Sequence, residues 1–471
     1  MRILLVILGV LVFAVGLLLS IALHELGHLS LAKAFRVKTT QYMVGFGPTL
    51  WSRRRGETEY GIKAIPLGGY IRMVGMFPPA QGQDAHQLRR VSTSPWGAMV
   101  EDTRAAMYEE VKDEEQDRVF YRKSWWQKVL IMLAGPFMNL LIAAVCFTVL
   151  LTGFGVPTYT PLVRSVSPCA PVDAAQREAD AARAVAGMAD AQAAQREFDR
   201  LTACRPGDPV SPAAQAGVLP GDRIVAFAGA PVQAWEQVQG LIRSRGAGPV
   251  DLVVERAGER VSLTADLVQR ERPVLADAGG SGDSGGEGGS GVDAGTVPVS
   301  FLGVGPTLER VTAPVTAVPG QLAGFIGQVG QAVVAIPSKV PGLVSAIGGA
   351  ERDVNGPQGI VGVGRLSAEV AVAPRPVADR IAFMVSILAS LNMSLFLFNL
   401  VPLLPLDGGH VAGALYEQAR RLGARLLRRP DPGFFDTAKL MPAAYVFASV
   451  LIVFTVLVFI ADVVNPVRIP T

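Results

Sequence analysis

The sequence predicts a multi-pass α-helical membrane protein with four transmembrane helices, a membrane β-hairpin on the cytoplasmic side and a separate extracytoplasmic α+β domain. Three observations predict it. Half of the 471 residues are hydrophobic, and they gather into four long runs, each able to cross a bilayer core as a helix. Lys and Arg cluster in alternate connections between those runs, the pattern that fixes orientation. Between the second and third runs lies a long hydrophilic stretch in which short segments alternate apolar and polar residues, as half-buried strands do.

The first run, residues 3–23, carries no charge and continues directly into His24-Glu25-Leu26-Gly27-His28, so residues 1–33 are assigned to the first span. A cleaved signal peptide is the competing reading, because Arg2 precedes the apolar core. The length of the run and the lack of a small-residue cleavage site favour a retained helix. Residues 34–125 form a basic connection containing Arg53, Arg54, Arg55, Arg89, Arg90, Arg122 and Lys123. Within it, GIKAIPLGGYIRMVGM (61–76) is rich in β-formers and is expected to be a hairpin with a tight turn at Leu67-Gly68-Gly69. Strand backbone at membrane depth must be covered by protein or line a watery cavity. The polar stretch 82–118, with His86, is read as a surface helix without chemistry.

The second span covers 126–152, the third is assigned to 381–410 and the fourth to 443–465, with an arginine-rich loop at 411–442 between the last two. Residues 311–380 are expected to be an extracytoplasmic amphipathic segment. Its apolar part, 323–346, is broken by Gly, Pro and Lys339 and is read as lying on the membrane surface, a fifth span being the alternative. With both basic loops in the cytoplasm, the termini and residues 153–380 fall outside. Four spans satisfy that alternation. The net charge of +3 is too small to indicate a nucleic-acid partner.

Of three cysteines, Cys146 sits in an apolar run, while Cys169 and Cys204 lie in the extracytoplasmic stretch, where a disulfide is permitted. They flank an Ala-, Asp- and Gln-rich insert, 170–203, read as a polar helix, and a bridge at its base is predicted. Around it, SPAAQAGVLPGDRI (211–224), then a strand, turn and helix in VAFAGAPVQAWEQVQGLI, then two strands in PVDLVVER and RVSLTADL, resemble a PDZ domain spanning 160–310. A Gly/Ser-rich run, 279–296, reads as a flexible loop. PDZ resemblance implies binding of peptide ends or strands by edge addition; a module that limits access sterically is the alternative.

The chemistry is concentrated in two places. In His24-Glu25-Leu26-Gly27-His28 the histidines stand four apart on one helical face, so both imidazoles reach one ion, and Glu25 is placed to take a proton from water. A structural histidine pair is the bland alternative, but polar groups at the end of an apolar helix are costly to place in a membrane. A catalytic zinc needs a third ligand and an open position. Asp407 supplies the ligand, alone among apolar residues in NLVPLLPLDGGH (399–410), where two prolines break the helix and glycines follow.

HELGH, GFGP at 45–48, IPLGGY, AGP at 134–136 and NLVPLLPLDGGH, in this order, resemble the site-2 protease family, in its bacterial branch with an extracytoplasmic PDZ domain. The resemblance implies an intramembrane zinc endopeptidase of the bacterial cell membrane. Its substrates would be single-pass membrane proteins, such as anti-sigma factors already shortened by another protease. Carried over by position, His24, His28 and Asp407 ligate Zn2+, Glu25 is general base and acid, and Asn399 in the NxxP element holds the substrate strand. The hairpin around Ile65 would receive that strand by β-addition. A catalytically silent PDZ scaffold and a metal transporter are the competing classes. All four catalytic positions are present, against the first, and no further ligands line the spans, against the second.

Overall fold

The structure is a computed structural model that describes residues 2–78, 117–273 apart from 186, 187, 189 and 190, and 296–467 apart from 351, 354, 355 and 374. The expectations for residues 82–116 with His86, for most of the 279–296 loop and for Asn355 lie outside the described residues. The chain divides into two compact units. One is formed by residues up to Phe154 together with those from Ala313 onward, and the other by Gly155–Thr312.

The first unit is helical. Helix α1 (Arg2–Ala34) forms from an unbroken Leu/Val/Ile run, and Ile3, Leu4 and Leu11 point outward, as a lipid-facing surface requires. Two ribbons follow, β1 (Thr39–Arg55) and β2 (Thr58–Met73), and then α2 (Trp125–Val149), which begins where the Gln127 side chain accepts the Ser124 backbone N–H. Beyond the second unit come α3 (Val318–Val334), α4 (Ile336–Ile347), α5 (Ile360–Val372), α6 (Val377–Asn399), α7 (Asp407–Leu426) and α8 (Met441–Val464). Among the described residues α1, α2, α6 and α8 are each long and apolar enough to cross a membrane; α3 and α4 together would be a fifth, bent by 59°.

Three expectations need correction here. Residues 61–76 are not a hairpin of their own. The tight turn lies at Gly56-Glu57, where Gly56 takes a positive φ, and β2 runs on to Met73. Residues 41–44 of β1 are flanked by 59–62 on one side and 69–72 on the other, while 49–55 pairs back with 58–63. The Gly68-Gly69 pair marks a fold in β2: Gly68 has φ 126° and a side chain there would strike Phe46. The third span ends at Asn399 rather than running through 410, because Pro402 and Pro405 cannot continue the helical ladder. Asp407 therefore opens a new helix, α7, which takes up the first half of the 411–442 connection. Residues 311–380 hold three helices, α3 to α5, in place of one amphipathic stretch.

Buried polar ties set the helices against one another. Asn392 of α6 donates to Ser20 of α1 at 2.9 Å, and Ser20 donates to the Gly16 carbonyl. Lys128 of α2 pairs with Glu417 of α7 at 3.0 Å, both side chains almost fully buried. Losing one partner of such a pair costs about 3–5 kcal/mol, so the pair fixes α7 on α2. Arg352 pairs with Asp462 of α8 at 2.6 Å, and the same carboxylate accepts the N–H groups of Gly359 and Gly362 at the start of α5.

The second unit is an antiparallel sheet in the order β8-β7-β6-β4-β3-β9, with β5 beside β4. Its strands are β3 (Val156–Val166), β4 (Arg223–Phe227), β5 (Ala230–Pro231), β6 (Gly248–Arg256), β7 (Glu259–Pro273), β8 (Thr296–Phe301) and β9 (Val304–Val311). Helix Trp235–Arg245 buries Trp235, Val238 and Ile242 against Phe227, Leu252 and Leu267 of the sheet. The insert contains two helices, Ala174–Val185 and Ala191–Thr202, where one was expected. Cys169 and Cys204 are joined by a disulfide at its base, with Cα atoms 5.9 Å apart.

Asp222 opens β4 from a buried position, where its carboxylate accepts from Arg256 Nε and Nη2 at 2.8 Å each. That hydrogen bond holds the carboxyl below its ordinary range. A group depressed on folding stabilises the native state above its unfolded pKa, about 3.9, and the contribution fades as pH falls through the folded value. Hydrogen exchange in β4 and β6, corrected for intrinsic rate, is expected to accelerate below about pH 4. In Asp222→Asn that acid-dependent component is expected to be absent.

Candidate metal centre

Helix α1 carries His24, Glu25 and His28 on adjoining turns, and α7 brings Asp407 to the same point. His28 Nε2 lies 3.2 Å from His24 Nε2 and 3.2 Å from Asp407 Oδ2, and His24 Nε2 lies 3.3 Å from that oxygen. Among the described residues these three form the one His/Cys/Asp/Glu group spaced for an ion.

The proton positions follow from the neighbours. His28 Nδ1 sits 2.7 Å from the Ile131 carbonyl of α2, an acceptor, so Nδ1 carries the hydrogen and donates it. Its Nε2 then presents a lone pair. His24 Nδ1 lies 3.1 Å from the side-chain amide of Asn139, which is buried in α2 and whose carbonyl oxygen has no other partner. Turning that amide end for end lets Oδ1 accept the Nδ1–H, and His24 Nε2 is likewise left with a lone pair. Two lone pairs and a carboxylate oxygen thus face one another without a proton between them. A cation removes the repulsion. An equilateral face of this edge belongs to a tetrahedron whose centre is about 2.0 Å from each corner, the bond length of zinc to histidine and carboxylate. Three protein ligands would leave a fourth corner for water, as catalysis requires.

Glycines make this approach possible. A Cβ on Gly135 would lie 2.1 Å from His28 Nε2, and one on Gly27 would lie 2.4 Å from the Ala134 carbonyl, so α1 and α2 touch through two residues without side chains. Gly408 and Gly409 let the 400–406 loop fold onto the start of α7, where a Cβ would meet the Val401 carbonyl at 2.4 Å or the Leu404 nitrogen at 2.6 Å. Asp407 is the first residue of α7, where the helix dipole favours a carboxylate. Gly69 of β2 does the same for Glu25: a side chain there would meet Glu25 Cγ at 2.9 Å, so residues 69–72 run directly beside this carboxylate. Tyr42 of β1 donates to the Ala22 carbonyl at 2.7 Å and pins the sheet to α1.

Asn399 ends α6, half-buried, and its side chain hydrogen-bonds no described residue. Ile65 lies at the fold of β2 opposite Phe46 and is 46% exposed. His410 stacks loosely on Phe77, with centroids 6.3 Å apart. Asn139 and the Ile131 carbonyl escaped the sequence reading. The AGP motif marked their helix, but nothing in the chain couples position 139 to position 24 short of the fold.

Peptidase family M50 matches residues 12–426 of the chain. Zinc metalloprotease Rip1 of Mycobacterium tuberculosis (strain H37Rv) is 32% identical over 461 residues, 98% of each chain. Rip1 of Mycolicibacterium smegmatis is 32% identical with 98% of each chain covered, and metalloprotease MmpA of Caulobacter vibrioides is 28% identical with 87% covered.

Partners behind metal-bound histidines are worth about 10–100-fold in metal affinity. Asn139→Ala is therefore expected to weaken zinc affinity by about that factor, read by competition with a chromophoric chelator, while the protein stays folded. Gly135→Ala is expected to do more, because it displaces the His28 ring itself.

Proposed function

Since the chain belongs to peptidase family M50 and is an intramembrane zinc protease of the inner membrane, we propose that it cuts single-pass membrane proteins within their transmembrane segments. Anti-sigma factors shortened beforehand by another protease fit this class, in regulated intramembrane proteolysis. The observation that carries the site assignment is the spacing of His24 Nε2, His28 Nε2 and Asp407 Oδ2, a triangle of 3.2–3.3 Å with no proton inside it. We assign these three as the zinc ligands.

Zinc, when bound there, supplies Lewis acidity toward the scissile carbonyl and the attacking water. Glu25, one residue after His24, takes a proton from that water and delivers it to the leaving amine. Asn139 and the Ile131 carbonyl keep both imidazoles in the ligating tautomer. A membrane helix satisfies its own amides, so the substrate must unwind before attack. Residues 69–72, with one side unpaired in the sheet and Glu25 alongside, offer an edge for the unwound strand. Ile65, at the fold leading to that edge, and Asn399, just ahead of the loop to Asp407, are assigned to hold it.

With the basic connections 34–125 and 411–442 read as cytoplasmic, the Gly155–Thr312 unit and both termini fall outside in this reading. The Cys169–Cys204 bridge supports that side, because disulfides persist in oxidising compartments. The unit is read as a PDZ domain. Its support is the Ser211–Ile224 segment and a helix packed on a sheet whose β8 edge is free in the strand order. It would dock trimmed substrates by edge addition or filter them by size.

Glu25→Gln, purified with its zinc and reconstituted with a single-pass substrate, is expected to retain metal and lose cleavage by about 100-fold or more. Membranes of cells carrying this variant are expected to accumulate truncated single-pass proteins absent from the parent. Cleavage at the parental rate would remove the role given to Glu25.

A further inference from the structure

Four basic side chains converge on a cleft of 550 Å³ at the end of α1, over Val37. Lys33 stands in the last turn of that helix and Arg36 just beyond it, Arg55 closes β1, and Arg118 lies in the turn leading to α2. One carboxylate, Glu57, shares the cleft and is already bound to Arg118 at 2.7 Å. Lys33 donates to the Tyr60 hydroxyl at 2.6 Å. The side chains of Arg36 and Arg55 make no ion pair or hydrogen bond with any described residue.

Among the described residues that line the cleft, four basic side chains face one carboxylate. The Glu57 carboxyl is held below its ordinary range by the Arg118 hydrogen bond, with Lys33 and Lys38 adding to the effect. Arg36 also sits in the left-handed region at φ 56°, at the C-terminal turn of α1, where the Val37 N–H reaches back to the Ala32 carbonyl. Glycine or asparagine adopts that conformation more cheaply. From that position Arg36 lines the cleft.

The depth of the cleft is marked by its surroundings. The candidate span of α1 runs to Ala34, and the Trp126 ring stands edge-on against Phe35, with centroids 5.4 Å apart. Trp125 and Trp126 are both partly exposed at the start of α2, the place of indoles at a headgroup layer. Basic clusters beside the end of a spanning helix attract anionic lipid.

We propose that this cleft binds the phosphate of an anionic phospholipid, with Arg36 and Arg55 as its principal donors. The bound phosphate bridges the end of α1 to the far end of β1, and so steadies the sheet whose other edge runs beside Glu25. A free phosphate ion shares the chemistry but not the location.

The test uses the full chain in nanodiscs of phosphatidylcholine, of phosphatidylcholine with phosphatidylglycerol, and of phosphatidylcholine with inorganic phosphate added. Thermal midpoint and lipid retention by native mass spectrometry are the readouts. Phosphatidylglycerol is expected to raise the midpoint of the parent and of Arg53→Gln/Arg54→Gln, which removes the same charge outside the cleft. In Arg36→Asn/Arg55→Gln its apparent affinity is expected to fall about tenfold or more, with the phosphatidylcholine midpoint unchanged. Should the double variant have a lower midpoint in phosphatidylcholine alone, Arg55→Gln is expected to show the same loss at smaller size. Equal losses in the double variant and the Arg53/Arg54 control would overturn the site in favour of diffuse surface charge. An increment reproduced by inorganic phosphate, or none in the parent, would overturn it as well.

Discussion

Three lone-pair donors held 3.2–3.3 Å apart repel one another unless a cation lies between them, and much of the membrane unit serves to hold them there. Two come from one turn of α1, and that turn is positioned by its contact with α2 through Gly27 and Gly135. The third comes from α7, held on α2 by the buried Lys128–Glu417 pair. Helix α2 is therefore the common reference. It supplies the Ile131 carbonyl and Asn139 to the backs of the two imidazoles and the lysine that seats the helix of Asp407.

The same economy governs the β-ribbon. Its attachment through Tyr42 to the Ala22 carbonyl and its close pass over Glu25 at Gly69 place residues 69–72, an edge among the described residues, next to Glu25. A proteolytic site in lipid needs two things that lipid does not offer, water and an extended substrate. In the proposed reading, Glu25, His24 and His28 supply polar partners for the first, and the ribbon a template for the second. Farther up α1, the Ser20–Asn392 hydrogen bond ties α6 to the same helix, so that the chain entering the Asp407 loop starts from a fixed point.

Much of this was legible in the sequence because it rests on local chemistry. The spacing of His24 and His28 needs only helical periodicity, and the lone carboxylate of Asp407 stood out because an unpaired charge in an apolar run needs a partner. The four long apolar helices follow from length alone. What was hidden depended on register and packing. Glycine marks both a turn and a close approach, so Gly68-Gly69 read as the hairpin turn although the structure uses Gly56 for that and Gly69 to admit Glu25. Pro402 and Pro405 announced a break after α6, but an amphipathic helix after Asp407 was masked by its arginines, which read as a loop. Asn139 could not be found at all from the chain, since a single polar residue in an apolar helix has no visible partner until the helices are packed.

X-ray absorption at the zinc edge of the full-length protein tests the central claim most directly. Zinc held by these residues is expected to show a first shell of two imidazole nitrogens and light oxygen donors at about 2.0 Å, with the histidine outer-shell scattering abolished when His24 and His28 are replaced and one protein oxygen lost in Asp407→Ala. A shell with a single imidazole, with sulfur, or unchanged by Asp407→Ala would contradict it.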